Sequence, residues 1–293
     1  MKRILLTGGG GFIGRNFIEF FSSSYEVVAP LRSELDLLDE AAVRRYVRLH
    51  PADAVVHCAV TPGHRNSRWT EQIANRNLRM FFNLVNNRDR FGKLILLGSG
   101  AEYDMRHYRP KMTEECFGEH IPIDESGFSK YAIARYAEAC DDVVLLRPFG
   151  VFGRYEDYEI RFISNAICKT LLDLPITIKQ NRRFDYVDVF DLSRVVRHFV
   201  ENKPRHKAYN VTPDSSIELR TLAEMVLDAA GKKLDIVTAL PEMGIEYSGD
   251  NSRLRSEIPH FNWTPLRESI GALYEWYEEN RRLVRGELLL LDK

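Results

Sequence analysis

The chain has 293 residues, with 41 Lys and Arg against 42 Asp and Glu, so its formal net charge is −1. That balance leaves no electrostatic footprint for nucleic acid or for an anionic membrane surface. A hydrophobic share of 44% can fill a large core, yet no apolar run reaches the roughly 20 residues of a membrane-spanning helix.

The first strand is expected at residue 3 or 4, which leaves no room for a cleavable leader before it. Ile4-Leu5-Leu6 is long enough for a buried strand and opens into Thr7 and four glycines, followed by a helical pattern from Phe12 to Phe21. A strand, a glycine turn and a helix N-terminus together form a phosphate-binding unit. Glycines let the backbone pass close to a pyrophosphate, and the free N–H groups of the helix favour its charge. Two registers fit: Gly9-Gly11-Gly14 as GxGxxG, and Gly8-Gly11-Gly14 as GxxGxxG. The next strand, Tyr25 to Ala29, ends at Pro30. An NAD-preferring site would have an acid here for the ribose hydroxyls. This chain has Pro30-Leu31-Arg32-Ser33, and Arg32 suits the 2′-phosphate of NADP unless it is a solvated loop residue.

Residues 40–50 read as a helix and 54–59 as a strand, with His57 a core histidine. The loop Thr61 to Trp69 is placed to cover a cofactor, and 71–87 reads as one long helix. Strand 93–97 runs into Gly98-Ser99-Gly100-Ala101-Glu102-Tyr103, residues 104–127 form a long ordered loop, and helix 128–140 precedes strand 143–146. The alternation predicts an α/β fold with a parallel sheet covered on both faces. Further on come helices at 160–172, 190–201, 219–231 and 266–282, with strands at 176–178 and 209–211. Ile270, Leu273, Tyr274 and Tyr277 fall on one helical face and read as core. The apolar tail Leu288 to Leu291 is expected to pack on its own domain or on a partner chain. Two domains are expected: 1–153, to which 184–212 returns, and 154–183 with 213–293. Cys58, Cys116, Cys140 and Cys168 have neither CxxC spacing nor His partners at metal spacing, and read as reduced thiols of a cytoplasmic protein without a metal site.

The N-terminal TGGGGFIG resembles the extended short-chain dehydrogenase/reductase family, which includes nucleotide-sugar epimerases, dehydratases and keto-sugar reductases; the likeness runs over nearly the whole chain. It implies a Rossmann-type doubly wound sheet with a smaller C-terminal α/β substrate domain. Arg32 followed by Glu34-Leu35-Asp36-Leu37 is similar to GDP-fucose synthases and related reductases that use NADPH. The resemblance implies cofactor contacts at Gly8, Gly11, Phe12, Ile13, Gly14 and Arg32, with Asp36 and Leu37 beside the adenine. Cys58, Ala59 and Val60 would follow the adenosine side, Asn77 would support the site, and Pro148 and Phe149 would border the nicotinamide. NADP(H) is the favoured cofactor, with NAD(H) the alternative. A homodimer is implied through the helices near 71–87 and 128–140.

The family's chemistry uses Ser, Tyr and Lys, the last two as YxxxK. Ser99 matches, and Tyr131 matches with Arg135 in place of the Lys, four residues on along one helical face. A guanidinium keeps its charge and would favour the phenolate needed for proton transfer. Lys130 precedes that Tyr by one and is expected to point elsewhere; Ser126, four before Lys130, is not a Tyr, so no shifted motif is expected. Ala101 cannot move protons and Glu102 stands one place late for a dehydratase acid pair. Tyr103, Arg182 and Arg253 are expected at the sugar nucleotide, with Arg182 on its diphosphate, whereas Gly150 departs from the Asn of many epimerases. The resemblance thus implies an NADP(H)-dependent nucleotide-sugar oxidoreductase, foremost a 4-keto-sugar reductase. The alternatives are a 4-epimerase with tightly bound NAD, and a non-catalytic NADP(H)-binding protein that has lost the motif's Lys.

Overall fold

The computed structural model describes residues 1–63 and 72–290. Short apolar runs give the first strands: β1 (Arg3–Thr7), β2 (Glu26–Val28), β3 (Ala54–His57), β4 (Leu94–Leu97) and β5 (Val143–Pro148). Shorter pieces follow as β6 (Gly150–Phe152), β7 (Ile176–Gln180), β8 (Arg183–Phe184), β9 (Tyr186–Asp188), β10 (Ala208–Val211), β11 (Ile217–Glu218) and β12 (Ile236–Leu240). The main sheet has the order β10-β5-β4-β3-β1-β2 and is parallel throughout. Leu5 lies between Val28 and Val55. Because β1 has β2 on one side and β3 on the other, the winding reverses there. That switch point opens a crevice beyond the strands' C-terminal ends, where open α/β sheets bind ligands.

The sheet is buried on both faces, which is why β4 and β5 are apolar without alternation. The helices are α1 (Phe12–Phe21), α2 (Glu40–Leu49), α3 (Ile73–Val85), α4 (Glu125–Ala137), α5 (Phe162–Leu171), α6 (Val189–Glu201), α7 (Leu219–Ala230), α8 (Ser252–Glu257) and α9 (Leu266–Glu279). Ile4 and Leu6 pack with Phe17, Phe21, Leu192 and Val195 on the α1/α6 side. Leu5 goes the other way, with Val43, Val47, Phe81, Leu84 and Ala134 on the α2/α3/α4 side. A separate core joins α5, α7 and α9 to the β7/β12 pair, and it contains Ile270, Leu273, Tyr274 and Tyr277. Leu289 is buried in this same core, so the apolar tail packs on its own chain there.

One helix boundary matters for the site. Helix α4 starts at Glu125, three residues before the expected position, because the Asp124 carboxylate accepts from the Gly127 N–H and caps it. The cap starts the helix inside a stretch whose prolines, charges and lack of periodicity read as loop. Within the loop before it lie short 3₁₀ turns at Met105–His107 and Glu114–Cys116, the latter tied to the sheet by Glu114 accepting from the Asn210 N–H at 2.7 Å. The expected cover loop Thr61 to Trp69 lies, from residue 64 on, outside the described residues, as do Glu71 and Leu291. Among the described residues no helix is long and apolar enough to cross a membrane.

Candidate functional site

A cleft of about 1050 Å³ runs along the C-terminal ends of β1, β3, β4 and β5. At one end is the glycine turn. Gly8 has φ +75°, and a Cβ there would sit 2.6 Å from the Ala59 backbone nitrogen. A Cβ on Gly14 would overlap the Gly8 carbonyl, and one on Gly9 would sit 2.7 Å from the Ala29 side chain. Gly8 and Gly14 therefore bring the first turn of α1 against the strand end, which favours the GxxGxxG register, while Gly9 serves packing against the second strand. Helix α1 has Gly11 at its N-cap, no side-chain cap and no acid in its first turn, so its leading N–H groups remain available to an anion.

Gly8, Gly11, Phe12, Ile13 and Gly14 all line the cleft, as do Arg32, Asp36 and Leu37 and, across from them, Cys58, Ala59 and Val60. Arg32 is largely exposed and makes a 3.4 Å ion pair with Asp36. Arg76, which sequence reading did not single out, joins this end from α3; its charge also acts on Asp36, and its buried Nε has no partner among the described residues. The only sequence signal was its place one turn before Met80, which lines the same wall. Two guanidiniums and a row of unshielded helix N–H groups fit a phosphorylated dinucleotide. Asn77 does not line the cleft. Its side-chain oxygen accepts from the Thr61 N–H at 2.7 Å and its amide donates to the Thr61 carbonyl at 3.3 Å, so it fixes the cleft's lip.

The middle of the cleft departs from expectation. Ser99 lines it, with Pro148 and Phe149 beside it, but neither Tyr131 nor Arg135 does. The Tyr131 ring packs on Phe117 at 5.1 Å. Arg135 is exposed, reaches toward Glu138 at 3.7 Å and lies over the same Phe117 ring. The residues of α4 that line the cleft are Ser126 and Lys130, four apart on the face turned to Ser99. The Lys130 ammonium stands 3.4 Å from the Gly98 carbonyl. Burial lowers its pKa, which the Glu102 charge partly offsets. Burial, and then the Lys130 charge, pull His57 down to about 4. His57 is therefore neutral, and it shares a 2.7 Å hydrogen bond with the Thr7 hydroxyl. The expectation that Lys130 points elsewhere is thus corrected. With α4 starting at 125, positions 126 and 130 have the YxxxK spacing, and a serine stands where that motif has its phenol. Asp124 followed by Glu125 was the sequence signal for this start.

Ser99 is held by its own turn: its hydroxyl accepts from the Ala101 N–H and its backbone N–H donates to Glu102 at 3.0 Å. Glu102 turns away from the cleft into a fully buried ion pair with Arg147 at 2.5 Å. Two further expectations are corrected. Tyr103 is core, its hydroxyl donating to Asn210 at 2.8 Å. Arg253 faces Glu115 and the Ala208 carbonyl, which ties α8 to the 114–116 turn. Both side chains are held by close partners that the linear sequence did not disclose.

At the far end Arg182 lines the cleft beside Phe184 and Tyr186, and Arg161, at the N-cap of α5, joins it. Glu156 also lines this end; burial pushes it up to about 8, and the Ser164 hydroxyl donates to it at 2.7 Å. Gly150 is dictated by packing, since a Cβ there would stand 2.5 Å from the Asp185 carbonyl. No cluster of three or more His, Cys, Asp or Glu side chains suited to a metal occurs among the described residues.

A doubly wound parallel sheet with a glycine turn and an uncapped helix at its switch point defines a Rossmann-type dinucleotide-binding fold. The model of the NAD dependent epimerase/dehydratase family matches residues 4–212, and the chain belongs to that family. It is 27% identical to GDP-L-colitose synthase of Yersinia pseudotuberculosis over 54% of this chain and 55% of that one. It is 36% identical to GDP-L-fucose synthase of Azorhizobium caulinodans over 35% of this chain and 34% of that one. These matches span about half and a third of the relatives' lengths. Its fold is similar to that of an NADP-bound GDP-mannoheptose C4 reductase from Campylobacter jejuni, with a TM-score of 0.81 and 20% identity, covering 94% of this chain and 98% of the other.

Proposed function

We propose that the chain is an NADP(H)-dependent nucleotide-sugar oxidoreductase, and within that class a 4-keto-sugar reductase. The observation that carries this reading is one continuous cleft with a glycine turn at one end, Arg161 and Arg182 at the other, and Ser99 and Lys130 between them. In this reading the N–H groups of α1 hold the pyrophosphate, and Arg32 with Arg76 takes the 2′-phosphate. Bound NADPH supplies the hydride. Ser99 holds the carbonyl oxygen of the sugar, Lys130 fixes the nicotinamide ribose and adds positive charge, and the two distal arginines grip the sugar diphosphate. The cofactor is taken by residues 1–153 with 184–212, and the sugar nucleotide by 154–183 with 213–293. The outer faces of α3 and α4, where Phe128 and Tyr136 are exposed, form the contact between two copies. The relatives named for GDP-sugar synthesis support a guanosine diphosphate sugar as first choice.

The test is NADPH oxidation at 340 nm with GDP-4-keto-6-deoxy-D-mannose and dTDP-4-keto-6-deoxy-D-glucose. One NADPH consumed per ketone reduced is the expected result. Interconversion of sugar epimers without added cofactor would instead establish the epimerase alternative, with NAD(H) retained through purification. The second reading, a cofactor-binding protein without turnover, is favoured by Ser126 in the phenol's position. It predicts tight NADPH binding and no oxidation with any ketone.

A further inference from the structure

We propose that Tyr247 supplies the proton taken up by the reduced carbonyl oxygen, replacing the phenol that α4 lacks. The inference rests on the reductase reading and starts from a chemical deficit. On the cleft face of α4 the site offers Ser126 and Lys130. An aliphatic hydroxyl gives up its proton far less readily than a phenol, whose ordinary pKa is about 10. A reductase built on this cleft needs its acid from another element.

The tyrosines that line the cleft are Tyr108, Tyr186 and Tyr247. The Tyr247 hydroxyl lies against Gly100, the residue that follows Ser99, in the cleft that Ser99 and Tyr108 also line. It thus stands beside the side chain that would hold the substrate oxygen. The space for it is built in: a Cβ on Gly100 would overlap this hydroxyl. The ring is clamped by Phe149 at 4.8 Å, Tyr108 at 4.9 Å and Phe184 at 5.5 Å between centroids. The backbone is pinned as well. The Tyr247 N–H donates to the Arg183 carbonyl at 3.0 Å, and its carbonyl accepts from the Asp185 N–H at 3.2 Å. Such clamping supplies the fixed geometry that proton transfer requires.

The step balances. A hydride from NADPH forms the new C–H bond at the carbonyl carbon. The C=O π pair moves onto oxygen, and that oxygen takes the proton from the Tyr247 hydroxyl. The phenolate regains a proton from water; half-buried Tyr108, whose ring lies 4.9 Å from that of Tyr247, can pass it on once its hydroxyl turns from the Gly100 carbonyl, to which it donates at 3.2 Å, and takes a proton from water in exchange. Burial raises the pKa of Tyr247, so the group stands as the neutral phenol but a weaker acid than a free one, and the negative charge developing on the adjacent substrate oxygen has to draw its proton.

The test compares wild type with Tyr247→Phe, Tyr108→Phe, Gly100→Ala and the double variant Ser126→Tyr/Tyr247→Phe. The readouts are NADPH oxidation with GDP-4-keto-6-deoxy-D-mannose, NADPH affinity by fluorescence, and calorimetric affinity of the NADP⁺-loaded protein for GDP-6-deoxy-D-mannose, a product of direct reduction at C4. Tyr247→Phe is expected to lower kcat at least roughly 10²-fold and to weaken GDP-6-deoxy-D-mannose binding several-fold, with NADPH affinity unchanged within about twofold. Tyr108→Phe should lose less than about tenfold, and the double variant should regain at least about tenfold over Tyr247→Phe, because the phenol returns on α4. Tyr247→Phe that keeps more than a third of wild-type kcat overturns the proposal alone. If Tyr247→Phe does not fold, Gly100→Ala decides the matter: its methyl would crowd both the Tyr247 hydroxyl and the Phe149 ring, so a similar loss of kcat with NADPH affinity unchanged within about twofold supports the role, and full activity, or a loss that follows weakened NADPH binding, refutes it. Wild-type protein that binds NADPH and reduces no ketone overturns the reductase reading and the acid role with it.

Discussion

The two halves of the cleft were written into the chain in different ways. At the glycine turn, each residue's job follows from its own backbone: Gly8 must adopt φ +75° and Gly14 must lie on the Gly8 carbonyl. At α4, a residue's job depends on which face of a helix it occupies and on how that helix is turned against the sheet. The packed layers turn the face with Ser126 and Lys130 toward the cleft and leave Tyr131 and Arg135 out of it, and the earlier start brings Ser126 into the helix. Backbone constraints can be read locally, whereas facing is a property of the assembled layers.

The largest effect should come from the α4 side of this contrast. Lys130→Met is expected to lower kcat/KM by roughly 10²- to 10³-fold, about 3–4 kcal/mol of transition-state stabilisation, in the NADPH oxidation assay. At the glycine end, Gly14→Ala forces a methyl into the Gly8 carbonyl. It should cost about 2–4 kcal/mol in urea unfolding and abolish detectable NADPH binding, because backbone here cannot yield as a side chain would.

The distal end gives a pH test. Burial raises Glu156 from 4.5 to about 8. Between those values the folded chain holds a proton that the unfolded chain has lost, so stability falls as pH rises through the window. Asp185, pushed up to about 7 by burial, contributes with the same sign. Glu156→Gln should flatten the decline between pH 5 and 8 by up to about 1.4 kcal/mol per pH unit, measured as urea midpoints across that range. At the adenosine end, Arg32→Ala should reduce the preference for NADPH over NADH roughly tenfold, about 1.4 kcal/mol, in paired fluorescence titrations. The smallest effects should be those of Tyr131→Phe and Arg135→Ala. Each is expected to change kcat/KM less than about threefold, in line with surface substitutions remote from the reacting atoms. A large loss in either would restore the pairing expected from sequence and break the comparison.

Much of the fold was legible in residue order. Apolar runs of strand length alternating with helical periods announced a parallel sheet covered on both faces, and the spacing of Ile270, Leu273, Tyr274 and Tyr277 marked a core stripe that the third core contains. These are patterns of period and length, carried by neighbouring residues. The adenosine wall was legible at Arg32, Asp36 and Leu37, while Arg76 was not, because nothing local distinguishes an arginine facing a cleft from one facing water.

The chain by itself therefore determined what is local: the strand, glycine turn and helix that open it, the alternation that winds the sheet, and the charge balance. Tertiary structure alone decided what meets across elements. It sent Tyr103 into the core and Arg253 to Glu115, turned Lys130 into the cleft, and carried the Tyr247 hydroxyl from a segment nearly 150 residues away to Gly100, beside Ser99. The reason is physical. Periodicity and backbone conformation are set by contacts a few residues apart, whereas a catalytic constellation is an intersection of separate elements whose relative placement is fixed only when their cores pack.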